Sequence, residues 1–497
     1  MANLKSLVKD TAIYGISSIA GRFINYLLVP IQTAAWAASG GQYGVVTNVY
    51  AYTALLLVIL TYGMETTFFR FANKAEEDPQ TVYSTTLLAV GCTSLLFSIG
   101  VLLFIDPISS VMGYADHPEW VAVMFVCVAI DAFKCVPFAF LRYKKRPVKF
   151  ATIQVANVLL NVLLNIVYLY LLPKLRVNPF GLYDDRFTLE VGMVFYINLV
   201  CTLLVTLMFW NELVGIRYRF DARLLRRMLR YSWPLLILGI AGILNQTFDK
   251  IVFPFLYHGA DAKTELSIYG ATVKIAMIMA MITQAFRYAY EPFVFGKSKD
   301  KDNRETYAKA MKYFIVFTLL AFLMVVGYMD VLRYIIRNHD YWAGLRVVPI
   351  VMAAEIMMGV YFNLSFWYKL TDRTIWGAYF SGIGCVVLIA VNVIFVPQYS
   401  YMACAWGGVA GYGTAMLLSY VVGQKYYPIN YPLKEIMAYI VLAMILTAGM
   451  LAANRYLDTL AAIGTNTLLG LVFVAYIVKK DFPLGSLPVI GKKFKKS

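Results

Sequence analysis

The chain has 497 residues, of which 60% are hydrophobic and 14% are charged, whereas soluble proteins average about 45–50% and about 25%. A soluble globule could not remove that much apolar surface from water. The composition therefore excludes a soluble multidomain protein and indicates one that crosses a membrane several times. The net charge of +16 could instead suggest a nucleic-acid-binding protein, so the positions of the basic residues decide between these two classes.

Fourteen apolar runs are each long enough to cross a bilayer, which needs about 20 apolar residues per helix. The connectors between them are short. This pattern predicts an all-α membrane protein with fourteen transmembrane helices and no sizeable extramembrane domain. The runs, numbered helices 1 to 14, lie at residues 11–36, 44–70, 82–105, 120–142, 149–172, 190–213, 233–256, 267–291, 310–329, 344–368, 374–396, 402–422, 434–453 and 461–478.

Lysine and arginine are concentrated in alternate connectors. If the N-terminus is cytoplasmic, 31 of the 44 basic residues fall in inner connectors and tails, and 8 fall in outer connectors. Cytoplasmic segments of membrane proteins carry this excess of positive charge. We therefore expect both termini in the cytoplasm, with membrane lipids and no nucleic acid as partners of the basic residues.

Short motifs recur at an offset of 224 to 226 residues, at corresponding positions of the predicted helices. This offset spans six helices, an even number, so the two copies have the same orientation in the membrane. Parallel repeats of this kind are typical of alternating-access transporters. The recurring pairs are Gly15-Ile16 and Gly239-Ile240, Tyr43-Gly44 and Tyr269-Gly270, Glu65 and Glu291, and Tyr143-Lys144 and Tyr368-Lys369.

The repeat predicts four parts of the chain. Helices 13 and 14 have no counterpart in either copy, and we expect them to lie on the lipid side. The parts are an N-lobe of helices 1 to 6 (1–213), a basic cytoplasmic connector (214–231), a C-lobe of helices 7 to 12 (232–424), and the two extra helices with a basic tail (425–497).

Charged and amide side chains at membrane depth are costly, and they usually face a bundle interior or a wet cavity. Arg22 is the strongest candidate for a cavity, because no acidic residue lies three or four positions from it. The candidates for lining a cavity that binds an anionic substrate are Arg22, Asn25, Lys134, Gln246, Lys250 and Lys274. The candidates for coupling to an ion are Asp131, Asp249 and Glu355.

Structural roles remain open for several of these groups. Asp131 and Lys134 lie three positions apart on a helix and could simply neutralise each other. A polar stripe on helix 5 could hold neighbouring helices together through hydrogen bonds. It comprises Gln154, Asn157, Asn161, Asn165 and Tyr168.

Four charged residues near the predicted inner ends of helices 2 and 8 are candidates for a structural or gating role. Arg287 and Glu291 are spaced to form an i,i+4 clasp. Glu65 could pair with Arg70 or with a neighbouring loop.

The sequence carries little that indicates catalysis. All six cysteines lie in apolar runs without a CxxC pair, which predicts free, buried thiols and neither disulfides nor a zinc site. The three histidines are far apart and form no HExxH motif. The largest outer connector offers Asp184-Asp185 as its paired acids. We therefore expect a protein that is not an enzyme and needs no cofactor or metal.

Several segments resemble a known family. The opening Leu4–Gly15 with Arg22, the segment Gly63–Phe71, the Asn161/Asn165 run and the Asp249-Lys250 pair are similar to polysaccharide-biosynthesis flippases. These proteins form the oligosaccharide flippase branch of the multidrug/oligosaccharidyl-lipid/polysaccharide (MOP) exporter superfamily. Lipid II flippases and multidrug and toxin extruders are their relatives.

The resemblance implies two six-helix lobes around a cavity that opens to each leaflet in turn. The cargo would be a polyprenyl-diphosphate-linked oligosaccharide, moved across the bacterial inner membrane for assembly of O-antigen, capsule or exopolysaccharide. Glycan polymerases or ligases of the same pathway would be its protein partners. Lipid II flippases also carry two extra helices, which are associated with a groove for the lipid tail.

Physical chemistry agrees with this expectation, since lysine and arginine bind phosphate oxygens through charge-assisted hydrogen bonds. Two alternatives stay open. A cation-coupled multidrug extruder would favour an acidic, aromatic cavity. A membrane glycan polymerase or ligase would form product from lipid-linked sugars.

Overall fold

The computed structural model describes residues 21, 23–183, 188–259, 261–296, 303–371 and 373–481. Within these ranges the regular structure is helical and contains no strand, and a helix is present at each of the fourteen predicted runs. The helices are α1 (Phe23–Ala35), α2 (Gln42–Ala72), α3 (Pro79–Leu103), α4 (Pro118–Tyr143), α5 (Pro147–Leu175), α6 (Gly192–Leu207), α7 (Ala222–Leu256), α8 (Ala262–Gly296), α9 (Asn303–Gly327), α10 (His339–Leu370), α11 (Ile375–Tyr399), α12 (Tyr401–Tyr426), α13 (Leu433–Tyr456) and α14 (Thr459–Asp481).

Eleven helices in the described ranges are long and apolar enough to cross a membrane. Of the other three, α1 and α6 are apolar but shorter, and α12 contains five glycines that lower its mean hydropathy. The prediction of an all-α, multi-pass membrane protein is confirmed. The first predicted run begins before Phe23, in residues outside the described ranges.

The chain divides into two compact units. The first comprises the described residues of Met1–Ala271 and Asn392–Tyr401, and the second those of Thr272–Val391 and Met402–Ser497. Helix α7 and the start of α8 therefore pack with the first unit. The lobe boundaries come from the sequence repeat and stay a prediction.

An aromatic core fills the first unit where α2, α3, α4 and the start of α7 meet. The rings of Tyr83 and Phe140 stack with centroids 3.9 Å apart, and Phe68 packs edge-on against both. The Tyr83 hydroxyl donates to the carbonyl oxygen of Glu212, 2.9 Å away. This satisfied hydroxyl lets a polar aromatic ring remain fully buried.

In the second unit, α13 and α14 pack on α9. The core between these helices contains Leu323, Tyr439, Met450 and Phe473, all nearly inaccessible. The opposite faces of α13 and α14 expose apolar side chains such as Met444. The two extra helices therefore form one three-helix packing unit with α9, and their outer faces suit contact with lipid.

Asp78 caps the N-terminus of α3. Its carboxylate accepts hydrogen bonds from the Thr81 amide (3.0 Å) and the Thr81 hydroxyl (2.7 Å). These bonds hold the pKa of Asp78 below its usual range, so the cap is complete above about pH 4 and is lost as the pH falls further.

We expect Asp78→Ala to lower the free energy of unfolding by about 1 kcal/mol, the usual value of an N-cap. Thermal unfolding in detergent at pH 7 measures this change. Asp78→Ser is the control, because serine also caps helices. Equal losses in the two variants would contradict the capping role.

Candidate functional site

A buried hydrogen-bond network between α2 and α7 holds the segment that carries Asp249 and Lys250. Asn48 of α2 is 1% exposed. Its side-chain amide donates to the carbonyl oxygen of Lys250 (2.6 Å), and its amide oxygen accepts from the Tyr114 hydroxyl (2.8 Å). Because both ends of the amide are satisfied, this contact fixes the segment of α7 that carries Lys250.

Asp249 and Lys250 form an ion pair. The Lys250 ammonium lies 3.0 Å from each Asp249 carboxylate oxygen, and it also donates to the Gln246 carbonyl oxygen. The Tyr269 hydroxyl of α8 donates to Asp249 over 2.6 Å. A predicted substrate-binding cation and a predicted ion-coupling acid thus belong to one neutral pair, and Asp249 is only 9% exposed.

A second pair lies on α4. The Lys134 ammonium is 2.6 Å from an Asp131 carboxylate oxygen, and Lys134 is 3% exposed. The Thr202 hydroxyl of α6 donates to the same Asp131 oxygen over 3.2 Å. The i,i+3 pairing of Asp131 and Lys134 is thus observed, and their roles in ion coupling and substrate binding stay predictions. Since Asp131 is the more exposed partner, an ion from outside would meet the carboxylate before the ammonium.

The polar stripe of α5 joins neighbouring helices. Asn161 donates to the Asn198 amide oxygen of α6 over 3.4 Å, and Asn165 donates to the Asn161 carbonyl oxygen over 2.8 Å. Asn198 in turn donates to the Tyr50 hydroxyl of α2 over 3.2 Å. The structural interpretation of this stripe is therefore supported for Asn161, whereas the hydrogen bonds of Asn165 stay within α5.

The other candidates for lining a cavity lie outside the two ion pairs described above. Asn25 and Gln246 are exposed. Lys274 and Glu355 are half-buried residues of α8 and α10 in the second unit. Arg22 lies outside the described residues, so its cavity role stays a prediction.

Glu65 pairs with Arg142 at the end of α4, not with Arg70. Five positions on a helix correspond to a rotation of about 140°, so Glu65 and Arg70 point to different sides of α2. The Arg70 guanidinium instead lies 4.0 Å above the Tyr231 ring. Arg142 lies in the last turn of α4, so the partner of Glu65 is on a neighbouring helix and not in a loop.

Arg287 of α8 lies in the second unit, where its guanidinium is 5.0 Å from the Phe362 ring centroid of α10. The side chain of Glu291 lies outside the described residues, and the Arg287–Glu291 clasp stays a prediction. Gly359 of α10 allows the Phe314 ring of α9 to pack closely, because a Cβ there would lie 2.3 Å from that ring. The small cavity beside Arg287 is lined by Thr283, Phe286, Phe314, Gly359, Phe362, Asn363 and Phe366.

Helices α2 and α8 cross in the first unit through small residues. The Gly44 amide donates to the Ser267 hydroxyl over 2.6 Å. A Cβ on Gly44 would lie 2.3 Å from the Lys263 carbonyl oxygen, and one on Gly270 would lie 2.2 Å from the Thr47 hydroxyl oxygen. Gly44 and Gly270 are repeat-related, so the two copies of one motif make the same close approach. This crossing positions the neighbouring Tyr269 that binds Asp249.

All six cysteines fall in the described ranges and are free thiols, as predicted. Four of them are buried, but Cys92 is exposed and Cys135 is only partly buried, so the expectation of burial is wrong for Cys92. In the described part of the chain, no three acidic, histidine or cysteine side chains are grouped to hold a metal.

Sequence reasoning missed several residues of these networks. Asn48 carried a signal, as an amide within an apolar run. Tyr269 was marked by the repeat but not recognised as a partner of Asp249. Tyr114 and Arg142 carried no signal for their partners, because each meets a helix that is distant in sequence.

The comparisons with known proteins agree with this architecture. A family model described as polysaccharide biosynthesis protein matches residues 7–289, more than half of the chain. No curated protein matches the chain.

Solved structures show the same fold at low sequence identity. The lipid II flippase MurJ, in an inward closed conformation, superposes with a TM-score of 0.72 at 14% identity, covering 94% of this chain and 98% of its own. An inward-facing multidrug resistance MATE family transporter of the MOP superfamily gives 0.62 at 15%, covering 84% and 94%. A MOP superfamily transporter from Pyrococcus furiosus gives 0.55 at 15%, covering 83% and 93%. The chain has the fold of MOP superfamily transporters and belongs to the polysaccharide biosynthesis protein family.

Proposed function

We propose that the protein flips a polyprenyl-diphosphate-linked oligosaccharide across the bacterial inner membrane by alternating access, for assembly of a surface polysaccharide. The match to the polysaccharide biosynthesis family over more than half of the chain carries this proposal. The proposed orientation has both termini in the cytoplasm. Glycan polymerases or ligases of the same pathway are the proposed partners that use the flipped product.

The extent of the structural similarity supports a lipid-linked substrate. The match to the lipid II flippase covers 94% of the chain and leaves about 30 residues outside it. Residues 425–497 number 73, so that match extends into α13 and α14. The match to the multidrug transporter covers 84% of the chain and leaves about 80 residues outside it. The fourteen-helix organisation is therefore shared with a flippase of a lipid-linked molecule.

Positively charged side chains in the membrane-spanning helices are the proposed binding groups for the phosphates of the substrate. A diphosphate cannot enter hydrocarbon alone, because it would lose its hydrogen bonds to water. The side chains proposed to bind the phosphate oxygens in place of water are Arg22, Lys134, Lys250 and Lys274. Asn25 and Gln246 are proposed to bind the sugars. Asp131 forms an ion pair with Lys134, and Asp249 forms an ion pair with Lys250. Protonation of either acid would release its lysine to a phosphate oxygen. In this mechanism the same acids couple substrate binding to a proton, and Glu355 is a third candidate for coupling.

Asp249→Asn tests this exchange. We expect the variant to bind a polyprenyl diphosphate more tightly, because Lys250 no longer has a competing carboxylate, and to lose dependence of transport on a proton gradient. Lipid binding by native mass spectrometry and flux with and without the gradient measure the two effects. Thr247→Ala on the same helix is the control. Unchanged binding and an unchanged gradient response would contradict the exchange.

Reconstitution tests the function itself. Proteoliposomes that contain the purified protein and a labelled polyprenyl-diphosphate oligosaccharide should expose the label to an external glycan-modifying enzyme at a rate above that of protein-free vesicles. Cells that lack the protein should accumulate the lipid-linked glycan on the cytoplasmic side. A reconstituted rate equal to that of empty vesicles would contradict the proposal.

A cation-coupled multidrug extruder is the second candidate, favoured by the structural similarity to multidrug transporters. It predicts drug resistance on expression and no glycan defect on deletion. A membrane polymerase or ligase is the enzyme-class alternative. It predicts that the purified protein lengthens or transfers labelled lipid-linked sugars, whereas a flippase leaves them covalently unchanged.

A further inference from the structure

A basic groove lies where α4 turns into α5, beside the end of α6. Its volume is about 550 Å³. The charged residues that line it are Lys145, Arg146 and Lys149, and its apolar wall includes Val148 and Met208. The groove belongs to the first unit and is separate from the Asp131–Lys134 and Asp249–Lys250 pairs.

One carboxylate neutralises only part of this charge. Glu212, which is 3% exposed, accepts from the Lys149 ammonium at 2.6 and 2.8 Å, and Arg146 lies 3.9 Å from it. Lys145 is exposed, and the Arg146 side chain is 61% exposed. Three cations and one acid leave two positive charges over the groove. A ligand with one or two negative charges would complete this charge balance.

The backbone adds to the attraction for an anion. Among the described residues no side chain caps α5, so the Val148 and Lys149 amides at its N-terminus have no side-chain acceptor. Helix N-termini attract phosphate through such amides. Lys145 has a φ of +52°, a conformation that glycine adopts more readily. Lys145 therefore occupies a backbone conformation that glycine would adopt at a lower conformational free energy.

The surroundings of the groove are suited to acyl chains. The turn joins two membrane-spanning helices, so it lies at the depth of lipid headgroups. Along their length, α5 and α6 expose Leu163, Leu204 and Leu207, and Trp210 is exposed just after α6. Tryptophan is enriched at this level of the membrane. Helices α5 and α6 therefore present apolar side chains suited to contact with lipid acyl chains.

The repeat-related turn in the second half of the chain arranges its cations differently. The repeat-related turn carries Lys369 and Arg373, and these cations lie over aromatic rings in the described structure. Lys369 is 5.2 Å from the Phe366 ring, and Arg373 is 4.5 Å from the Tyr426 ring. This turn supplies a matched control in which two cations can be replaced, as in the groove variant.

From this geometry we propose that the groove binds the phosphate headgroup of an anionic glycerophospholipid such as phosphatidylglycerol. The site does not depend on the transported substrate. Lys145 and Arg146 contact the phosphate, and the Lys149–Glu212 pair holds the turn in place. The bound lipid would anchor the cytoplasmic end of the first unit in the membrane.

Native mass spectrometry of the purified protein, titrated with phosphatidylglycerol or phosphatidylcholine, tests the proposal. The variant Lys145→Gly/Arg146→Gln should bind phosphatidylglycerol about 30-fold more weakly. Its thermal stability should be equal or higher, because glycine suits the turn and the Lys149–Glu212 pair remains. Lys369→Gln/Arg373→Gln should bind as the wild type does, and phosphatidylcholine should bind the wild type more weakly than phosphatidylglycerol.

Three results would overturn the proposal: equal phosphatidylglycerol binding by variant and wild type, equal binding of the two phospholipids, or an equal loss in the Lys369/Arg373 control. A titration with polyprenyl phosphate distinguishes the source of the phosphate. If that lipid displaced phosphatidylglycerol at equal concentration, the groove would be assigned to the carrier lipid and not to a membrane phospholipid. Flux measurements are separate from this test, so failure here leaves the proposed function standing.

Discussion

Lys312→Met is expected to lower the free energy of unfolding by about 3–5 kcal/mol, the usual effect of removing one partner from a buried ion pair. The Lys312 ammonium lies 2.5 Å from Glu435 of α13 and also contacts Asp481 of α14. The Tyr439 hydroxyl donates to the same Asp481 carboxylate. Methionine would fill the space of the lysine stem but leave two carboxylates without their cation, so α13 and α14 should detach from α9 at lower temperature.

The matched control is Lys309→Gln on the same helix. Lys309 also pairs with a glutamate, Glu305, but its side chain is 64% exposed, and such surface pairs contribute less than about 1 kcal/mol. Thermal unfolding of both variants in detergent measures the difference. Adding Glu435→Gln and Asp481→Asn to Lys312→Met should recover much of the stability. If Lys312→Met were as stable as Lys309→Gln, the cluster would not be holding these helices together.

Gly44→Ala is expected to cost about 1–3 kcal/mol, as overpacking does in a close contact, and to slow transport at least tenfold. The added Cβ would lie 2.3 Å from the Lys263 carbonyl oxygen. A backbone oxygen in a helix cannot rotate away as a side chain can, so α2 and α8 must separate. Separation would withdraw Tyr269 from Asp249 and weaken the site on α7.

Gly100→Ala on α3 is the control, because a Cβ there meets no heavy atom within 4 Å among the described residues, and alanine favours a helix over glycine. Unfolding temperature and reconstituted flux should be measured for both variants. Equal behaviour of Gly44→Ala and Gly100→Ala would show that the crossing tolerates a wider separation than we infer.

The helices were predictable because membrane insertion depends on the length and polarity of each segment by itself. The Asp131–Lys134 pair was predictable for a similar reason, since both residues lie on one face of one helix. Asp249 and Lys250 were assigned separate roles, and adjacent helical residues point about 100° apart. The long Lys250 side chain folds back to the Asp249 carboxylate, so the two residues form one ion pair and not two separate sites.

Contacts between distant segments could not be predicted in the same way. Glu65 meets Arg142, and Asn48 meets the Lys250 carbonyl, only after α2 has packed against α4 and α7. The repeat gave an indirect signal for one such contact, because Gly44 and Gly270 recur in both copies and each needs space for a neighbouring backbone. The charge pattern placed Lys145, Arg146 and Lys149 in one inner connector, but a groove requires the end of α6 beside it.

The central claim is that intramembrane cations bind the diphosphate during flipping. The most direct test is the initial rate of translocation of a polyprenyl-diphosphate oligosaccharide by proteoliposomes with Arg22→Gln/Lys250→Gln/Lys274→Gln. The control replaces three exposed arginines of the basic connector, Arg217, Arg223 and Arg226, with glutamine. The account predicts that the control transports at the wild-type rate and that the intramembrane variant falls to the rate of protein-free vesicles. Undiminished flux in the intramembrane variant would contradict it.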